Sequence, residues 1–294
     1  MFQYSAIPTG SGGPLVNRLA PEMAHLLTVA YDLSRRGAGT GPYPSQVRAD
    51  TWSAAPEPPW TFEMDCWQGV QLMIARRPLV DRDVSSNPGE RPAAGDLVAA
   101  VIPGTNEAED WWDGNLHFWP HRIPGLPGWW RRGFMLAGDW VAARVARACR
   151  PVDRLVLAGH SYGAAAAICA AAYAIRASSK LDSVLAFAPP RTTTSAGARW
   201  ISDVLGDVAG QRFTLGVDVV PYSVLPVMWR QALELVHNHP ADGSTRSKGP
   251  VWDEVRFALH QRGLQAIRNH SMSSYARWMS RLPAPIRRVP PAVL

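Results

Sequence analysis

Residues 154–176 read RLVLAGHSYGAAAAICAAAYAIR, and the order of residue types in this stretch decides the fold. Arg154 to Ala158 is a short apolar run of the kind that forms a strand buried on both faces. Ala164 to Ile175 is apolar as well, but it is long and rich in alanine, which suits a closely packed helix. Between the two stands Gly159-His160-Ser161-Tyr162-Gly163. A strand that turns sharply into a helix lifts a serine hydroxyl above the sheet edge. The residues two before and two after that serine must be small, because the backbone crowds them there. The pattern alone is common. The buried strand before it and the small-residue helix after it make Ser161 a candidate nucleophile on an elbow, not an ordinary serine in a glycine turn.

Working outward, Ala24 to Arg36 has apolar spacing suited to an amphipathic helix. Gly69 to Ala75 reads as a strand, the polar stretch Arg77 to Gly95 as a loop or hairpin, and Asp96 to Ile102 as a second buried strand. Phe134, Ala137, Val141, Val145, Ala148 and Cys149 fall on one helical stripe. Ser183 to Ala188 and Arg212 to Val217 read as further strands, and a last helix begins near Ser273. Strands alternating with helical stretches predict an α/β fold with a mostly parallel central sheet flanked by helices. No repeat or composition shift divides the chain, so one domain is expected over residues 1–294. Residues 1–18 and 282–294 are expected to be loose arms.

Composition excludes several classes. The apolar fraction is 47% and charged residues make up 18% of the 294 residues, which is not the low hydrophobicity and high charge of a disordered chain. The longest apolar run, Gly163 to Ile175, is shorter than the ~20 residues of a membrane span. The start, MFQYSAIPTGSGG, lacks the charged and apolar regions of a signal peptide. Cys66, Cys149 and Cys169 have no metal-ligand spacing, and their odd number makes a disulfide framework unexpected. The net charge is +6, but the basic residues are almost all arginines scattered along the chain. A nucleic-acid face would gather them on one element, so no specific nucleic-acid partner is expected. The oligomeric state is not legible. Thirteen tryptophans remain to be explained.

A serine nucleophile needs a base, and the base needs an orienting carboxylate, in the chain order Ser, Asp or Glu, His for this type of elbow. Asp218 ends the RFTLGV strand and so lies at the same sheet edge as the elbow. The histidine has three candidate regions: His237 and His239, His260, and His270. His237 and His239 follow Asp218 too closely, and His260 sits in a helical pattern. His270 stands just before the last helix, where it can reach back to the sheet edge, and it is favoured. The pair His237 and His239 has no third ligand nearby and does not make a metal site. His160, inside the elbow, is read as a packing or hydrogen-bonding residue. The developing oxyanion needs two donors. They are expected from the backbone N–H of Tyr162 and from Thr105, in the Pro103-Gly104-Thr105-Asn106 loop after the second buried strand.

These motifs resemble, in order, the class 3 lipases. Pro103-Gly104-Thr105-Asn106 is similar to that family's Arg-Gly-Thr oxyanion motif, with Asp110-Trp111 following. Arg132-Gly133-Phe134 resembles its His-x-Gly-Phe segment, and Gly159 to Gly163 its Gly-His-Ser-Leu-Gly. Phe187 to Arg191, Asp218-Val219-Val220-Pro221 and His270 to Tyr275 complete the match, which spans roughly residues 24 to 280. Pro103 stands where arginine is usual, and Tyr162 replaces leucine. The resemblance implies an α/β-hydrolase fold and a serine esterase acting on acylglycerols and related lipids through Ser161, His270 and Asp218, without a cofactor or metal. It also places a lid over residues 106–130. That stretch holds Trp111, Trp112, Phe118, Trp119, Trp129 and Trp130, an aromatic mouth for an acyl chain that would touch a lipid surface transiently. Its Glu107, Glu109, Asp110 and Asp113 argue against tight adhesion to anionic lipid. A phospholipase, an esterase for cell-wall lipid esters (even one encoded by a phage) and an inactive binding module on the same fold are the other readings.

Overall fold

The computed structural model describes residues 13–36, 41–42, 60–80, 95–104, 119–177, 181–216, 218, 220–222, 228–238, 245–246 and 270–281. The two runs read as buried strands lie side by side at the centre. β4 (Asp96–Ile102) pairs in parallel with β7 (Arg154–His160), with Ile102 opposite Gly159. β8 (Ser183–Phe187), β9 (Gly210–Leu215) and β10 (Glu234–Asn238) continue the parallel part. Beyond β4 the direction reverses: β3 (Val70–Pro78), β2 (Thr61–Trp67) and β1 (Gly41–Pro42) are antiparallel. β11 (Thr245–Arg246) closes the far edge antiparallel to β10. The sheet order is β1-β2-β3-β4-β7-β8-β9-β10-β11, with β5 (Pro120–His121) and β6 (Trp130–Arg131) forming a separate ribbon.

Alternation along the central strands feeds two cores. Val98, Ala100 and Ile102 of β4, with Leu155 and Leu157 of β7, face α2 (Arg132–Ala148), α3 (Tyr162–Arg176) and α4 (Ser195–Ala209). Leu97, Ala99 and Val101, with Val156 and Ala158, face α1 (Gly13–Arg36) and α5 (Met272–Met279). Each strand thus has apolar residues on both faces, as a sheet covered on both sides requires.

The structure departs from the sequence reading in three places. Residues 13–18, expected in a loose arm, belong to α1. A proline inside a helix argues for a break, yet the buried stripe Leu19, Met23, Leu26, Leu27 and Ala30 runs on past Pro21. β10 holds His237, in a segment where no strand was read. α4 and β2 had no counterpart, because Ser195–Ala209 is interrupted by polar residues and Thr61–Trp67 is only partly buried. Residues 282–294 and most of the expected lid, 105–118, lie outside the described residues.

A buried ion pair fixes α1 on the sheet. Glu22 accepts hydrogen bonds from Arg77 Nε (3.1 Å) and Nη2 (3.2 Å), and from Trp60 Nε1 (3.0 Å). The Arg77 guanidinium also lies 5.0 Å from the centre of the Trp60 ring. Removing one partner of such a pair strands a buried charge and costs about 3–5 kcal/mol, whereas replacing both by apolar groups is near neutral. Glu22→Leu is therefore expected to lower the denaturant midpoint strongly, and Glu22→Leu with Arg77→Met to recover most of it. A double variant as unstable as the single one would refute this account.

Candidate active site

β7 gives way to α3 at Ser161, whose backbone has φ 55° and ψ −123°. That left-handed conformation costs a non-glycine residue roughly 1–3 kcal/mol, so the surroundings must hold it. They do so from two sides. The Ser161 N–H donates to the Phe187 carbonyl at the end of β8 (2.9 Å), and the Ser161 carbonyl accepts from the N–H groups of Ala164 (3.0 Å) and Ala165 (3.3 Å). The flanking glycines answer to close approach. A Cβ on Gly159 would stand 2.2 Å from the Gly163 carbonyl oxygen, and one on Gly163 would stand 2.1 Å from that of Ile102. The alanines at 164–167 are all fully buried, so the helix starts tight against the sheet.

The structure brings Ser161, His270 and Asp218 into one hydrogen-bonded row. His270 precedes α5, whose N-cap Ser271 accepts from the Ser274 N–H. Its Nε2 lies 3.0 Å from Ser161 Oγ, and its Nδ1 lies 3.0 and 3.1 Å from the two carboxylate oxygens of Asp218. Asp218, beyond β9, is wholly buried. A buried carboxylate must be hydrogen-bonded, and two further donors meet it: the Val220 N–H (2.9 Å) and the Tyr275 hydroxyl (2.7 Å). A carboxylate accepts only, so Nδ1 carries the imidazole proton and Nε2 is left to accept from the serine. That disposition suits proton abstraction from Ser161 Oγ.

Tyr275 is the residue whose part in the site the sequence did not disclose. Its hydroxyl donates to Asp218 and also accepts from the Leu215 N–H (2.9 Å), tying the carboxylate to the end of β9. The available signal was its place on the buried face of the last helix, five residues after His270, which is also where core aromatics stand. Tyr162 is the first residue of α3, where a backbone N–H has no intrahelical acceptor. Its side chain is anchored in the core, with the hydroxyl donating to the Gly133 carbonyl (3.2 Å) and the ring edge-on to Phe134.

Thr105, Trp111, Trp112 and Phe118 lie outside the described residues, as do His239 and His260. Trp130 corrects the expectation of an aromatic mouth: it is fully buried in the core of α2, α3 and α4. Trp119 is 74% exposed and Trp129 39%. Trp129 is tied by its backbone to Thr194 and by its carbonyl to the Thr193 hydroxyl, in the loop beyond β8, and the Arg122 guanidinium covers its ring. Among the described residues, no group of three or more His, Cys, Asp or Glu side chains could hold a metal ion.

Tyr275→Phe removes one donor from Asp218 and the acceptor of the Leu215 N–H. It is expected to lower folding stability by about 2 kcal/mol, read as a fall in the denaturant midpoint at unchanged slope. No change would mean that these two groups find other partners.

Residues 101–228 match the class 3 lipase family. No curated protein matches the sequence. Among solved structures, the chain is similar to the mono- and diacylglycerol lipase from Aspergillus oryzae, at 17% identity and a TM-score of 0.60 over 87% of this chain and 97% of that one. It is similar to the lipase from Rhizopus microsporus var. chinensis, at 15% identity and a TM-score of 0.59 over 90% and 87%. The Rhizomucor miehei lipase in complex with its propeptide matches at 18% identity and a TM-score of 0.52 over 79% and 70%. At such identities the likeness is one of fold, and the fold is the α/β-hydrolase fold. The match to the class 3 lipase family thus runs from the end of β4 past Asp218, and the chain is an ester hydrolase.

Proposed function

We propose that this single α/β-hydrolase domain hydrolyses lipid esters of the acylglycerol type through an acyl-enzyme on Ser161. The observation that carries this reading is the row from Asp218 through His270 to Ser161, with every hydrogen bond between 3.0 and 3.1 Å. Ser161 Oγ attacks the ester carbonyl carbon while its proton passes to His270 Nε2. The carbonyl oxygen takes the negative charge, and Asp218 stabilises the imidazolium. Collapse of the intermediate expels the alcohol, which receives the proton from Nε2. Water then enters, gives a proton to Nε2 and attacks the acyl carbon, and Ser161 leaves as the hydroxyl. No metal or cofactor takes part.

The oxyanion donors are the N–H groups of Tyr162 and Thr105. The assignment of Thr105 is supported from its neighbour: the Gly104 N–H is already donated to the Tyr31 hydroxyl (2.6 Å), so it is not free for a substrate. Each such donor in a water-excluded site lowers the barrier by about 3–4 kcal/mol. The acylglycerol preference rests on the family and on the named specificity of the Aspergillus oryzae neighbour. Exposed Trp119 and Trp129 suit transient contact with the surface of a lipid phase, since tryptophan is at home between apolar and aqueous media. Trp111, Trp112 and Phe118, in the stretch the lid would occupy, would add to that face.

Hydrolysis of p-nitrophenyl esters of rising acyl length tests the chemistry. The wild type should favour medium and long chains, and Ser161→Ala should lose at least about a thousandfold in kcat. Activity on acetate alone would sink the lipid reading. His270→Ala should match Ser161→Ala, while His239→Ala should not; the reverse would move the base.

The surface contact has a separate test. Trp119→Ser is expected to weaken activity on emulsified triacylglycerol several-fold while leaving hydrolysis of a soluble ester unchanged. Equal loss on both substrates would assign Trp119 to the fold or the acyl site.

A further inference from the structure

The elbow histidine and a tyrosine from the first helix form a second polar row behind the site. Gly104 N–H donates to Tyr31 Oη at 2.6 Å, and Tyr31 Oη lies 2.8 Å from His160 Nδ1. The tyrosine hydroxyl has one proton. Since it accepts from the amide, it gives that proton to Nδ1, so His160 is a neutral imidazole with its proton on Nε2. Burial, above all, and the neighbouring His270 hold the His160 imidazole well below the ordinary histidine range, in keeping with the neutral form. Its ring lies 4.7 Å from the His270 ring, tilted by 30°, and 5.7 Å from the Tyr275 ring. Gly104 itself is pressed onto the nucleophile: a Cβ there would stand 2.5 Å from Tyr31 Oη and 2.9 Å from Ser161 Cβ.

From this geometry we propose that Tyr31 and His160 are positioning residues, which hold the oxyanion loop at Gly104 and the imidazole of His270 in register across Ser161. The proposal rests on the acyl-transfer reading of that row. The reaction needs the oxyanion donors and the base set on opposite sides of one carbonyl. The oxyanion loop follows β4 and the base precedes α5, and no strand pairing joins the two. Tyr31 binds one of them directly, and His160 packs against the other. The ring of His160 limits the tilt of the imidazole, while the hydroxyl of Tyr31 limits the drift of the loop. A displacement of about 1 Å in such an arrangement can cost a hundredfold in rate, and the loss falls on kcat when the interaction is made only in the transition state.

The test uses the full chain and a soluble p-nitrophenyl ester. Tyr31→Phe keeps the ring and removes the hydroxyl. It should lower kcat about ten- to a hundredfold with KM within about twofold. His160→Asn places an acceptor near the position of Nδ1 but loses the ring against His270, so it should retain more activity than His160→Leu, which loses both. Tyr31→Phe combined with His160→Leu should be no worse than the poorer single variant, because the row acts as a unit. A fall in stability alone would not show rescue by asparagine, nor an effect confined to kcat. Tyr31→Phe indistinguishable from wild type, or additive losses in the double variant, would overturn the proposal. Ser161→Ala as control separates the two readings: if hydrolysis survives it, the acyl-transfer row fails. Nitrogen NMR of the His160 ring then decides the relay independently, with Nδ1 unprotonated in the wild type and perturbed in Tyr31→Phe expected, and a protonated wild-type Nδ1 fatal to it.

Discussion

A serine at φ 55° is a conformation that only the surroundings can impose, and here they impose it by removing space. α3 begins so near the ends of β7 and β4 that neither glycine of the elbow has room for a methyl group. The helix can sit there because its first turns present alanine to the sheet. The nucleophile's position at the sheet edge is thus a consequence of small residues packed below it. A larger side chain anywhere from 163 to 167 would push α3 away, and the serine would relax with it. The register of β4 on β7 enters for the same reason, since the Ile102 and Pro103 carbonyls form part of the wall against Gly163.

The polar groups around the elbow come from distant parts of the chain. Tyr31 lies on α1, Asp218 beyond β9, and His270 and Tyr275 at α5. α1 and α5 cover the same face of the sheet, so the second, mainly apolar core carries the groups that position the base. The buried pair of Glu22 and Arg77 fixes α1 to β3. On this view α1 has a task beyond covering the sheet: it brings a hydroxyl to the oxyanion loop. The polar groups of the site gather at the carboxyl edge, where β4, β7 and β9 end.

The central strands and the elbow were legible because they depend on local patterns: a continuous apolar run, a glycine-bracketed serine, an alanine helix. Asp218 and His270 were legible from chain order and from their places at an element end. Tyr275 and Tyr31 were not. Each lies on a helix stripe beside apolar residues, and a tyrosine in that setting looks like core until its hydroxyl is seen to end at a carboxylate or an amide. His160 was read only as a packing or hydrogen-bonding side chain. It is one, but what it packs against is His270, and nothing in its neighbours along the chain could say so. α1 was read too short because composition at its start outweighed a stripe that continues through Pro21.

The tryptophans show where counting by position stops being informative. Five of the thirteen fall between residues 106 and 130, which suggested a single aromatic face. Yet Trp129 and Trp130, adjacent where the chain enters β6, have opposite fates. Trp130 fills the core beside Phe134, while Trp129 faces outward under Arg122. Elsewhere Trp60 seals the Glu22–Arg77 pair and Trp67 stacks on Trp140 across β2 and α2. Much of the tryptophan content is therefore structural, filling broad gaps between helices and sheet where small alanines elsewhere leave the volume to be made up. Among the described rings of that cluster, what remains available for a lipid surface is Trp119 and Trp129, not Trp130.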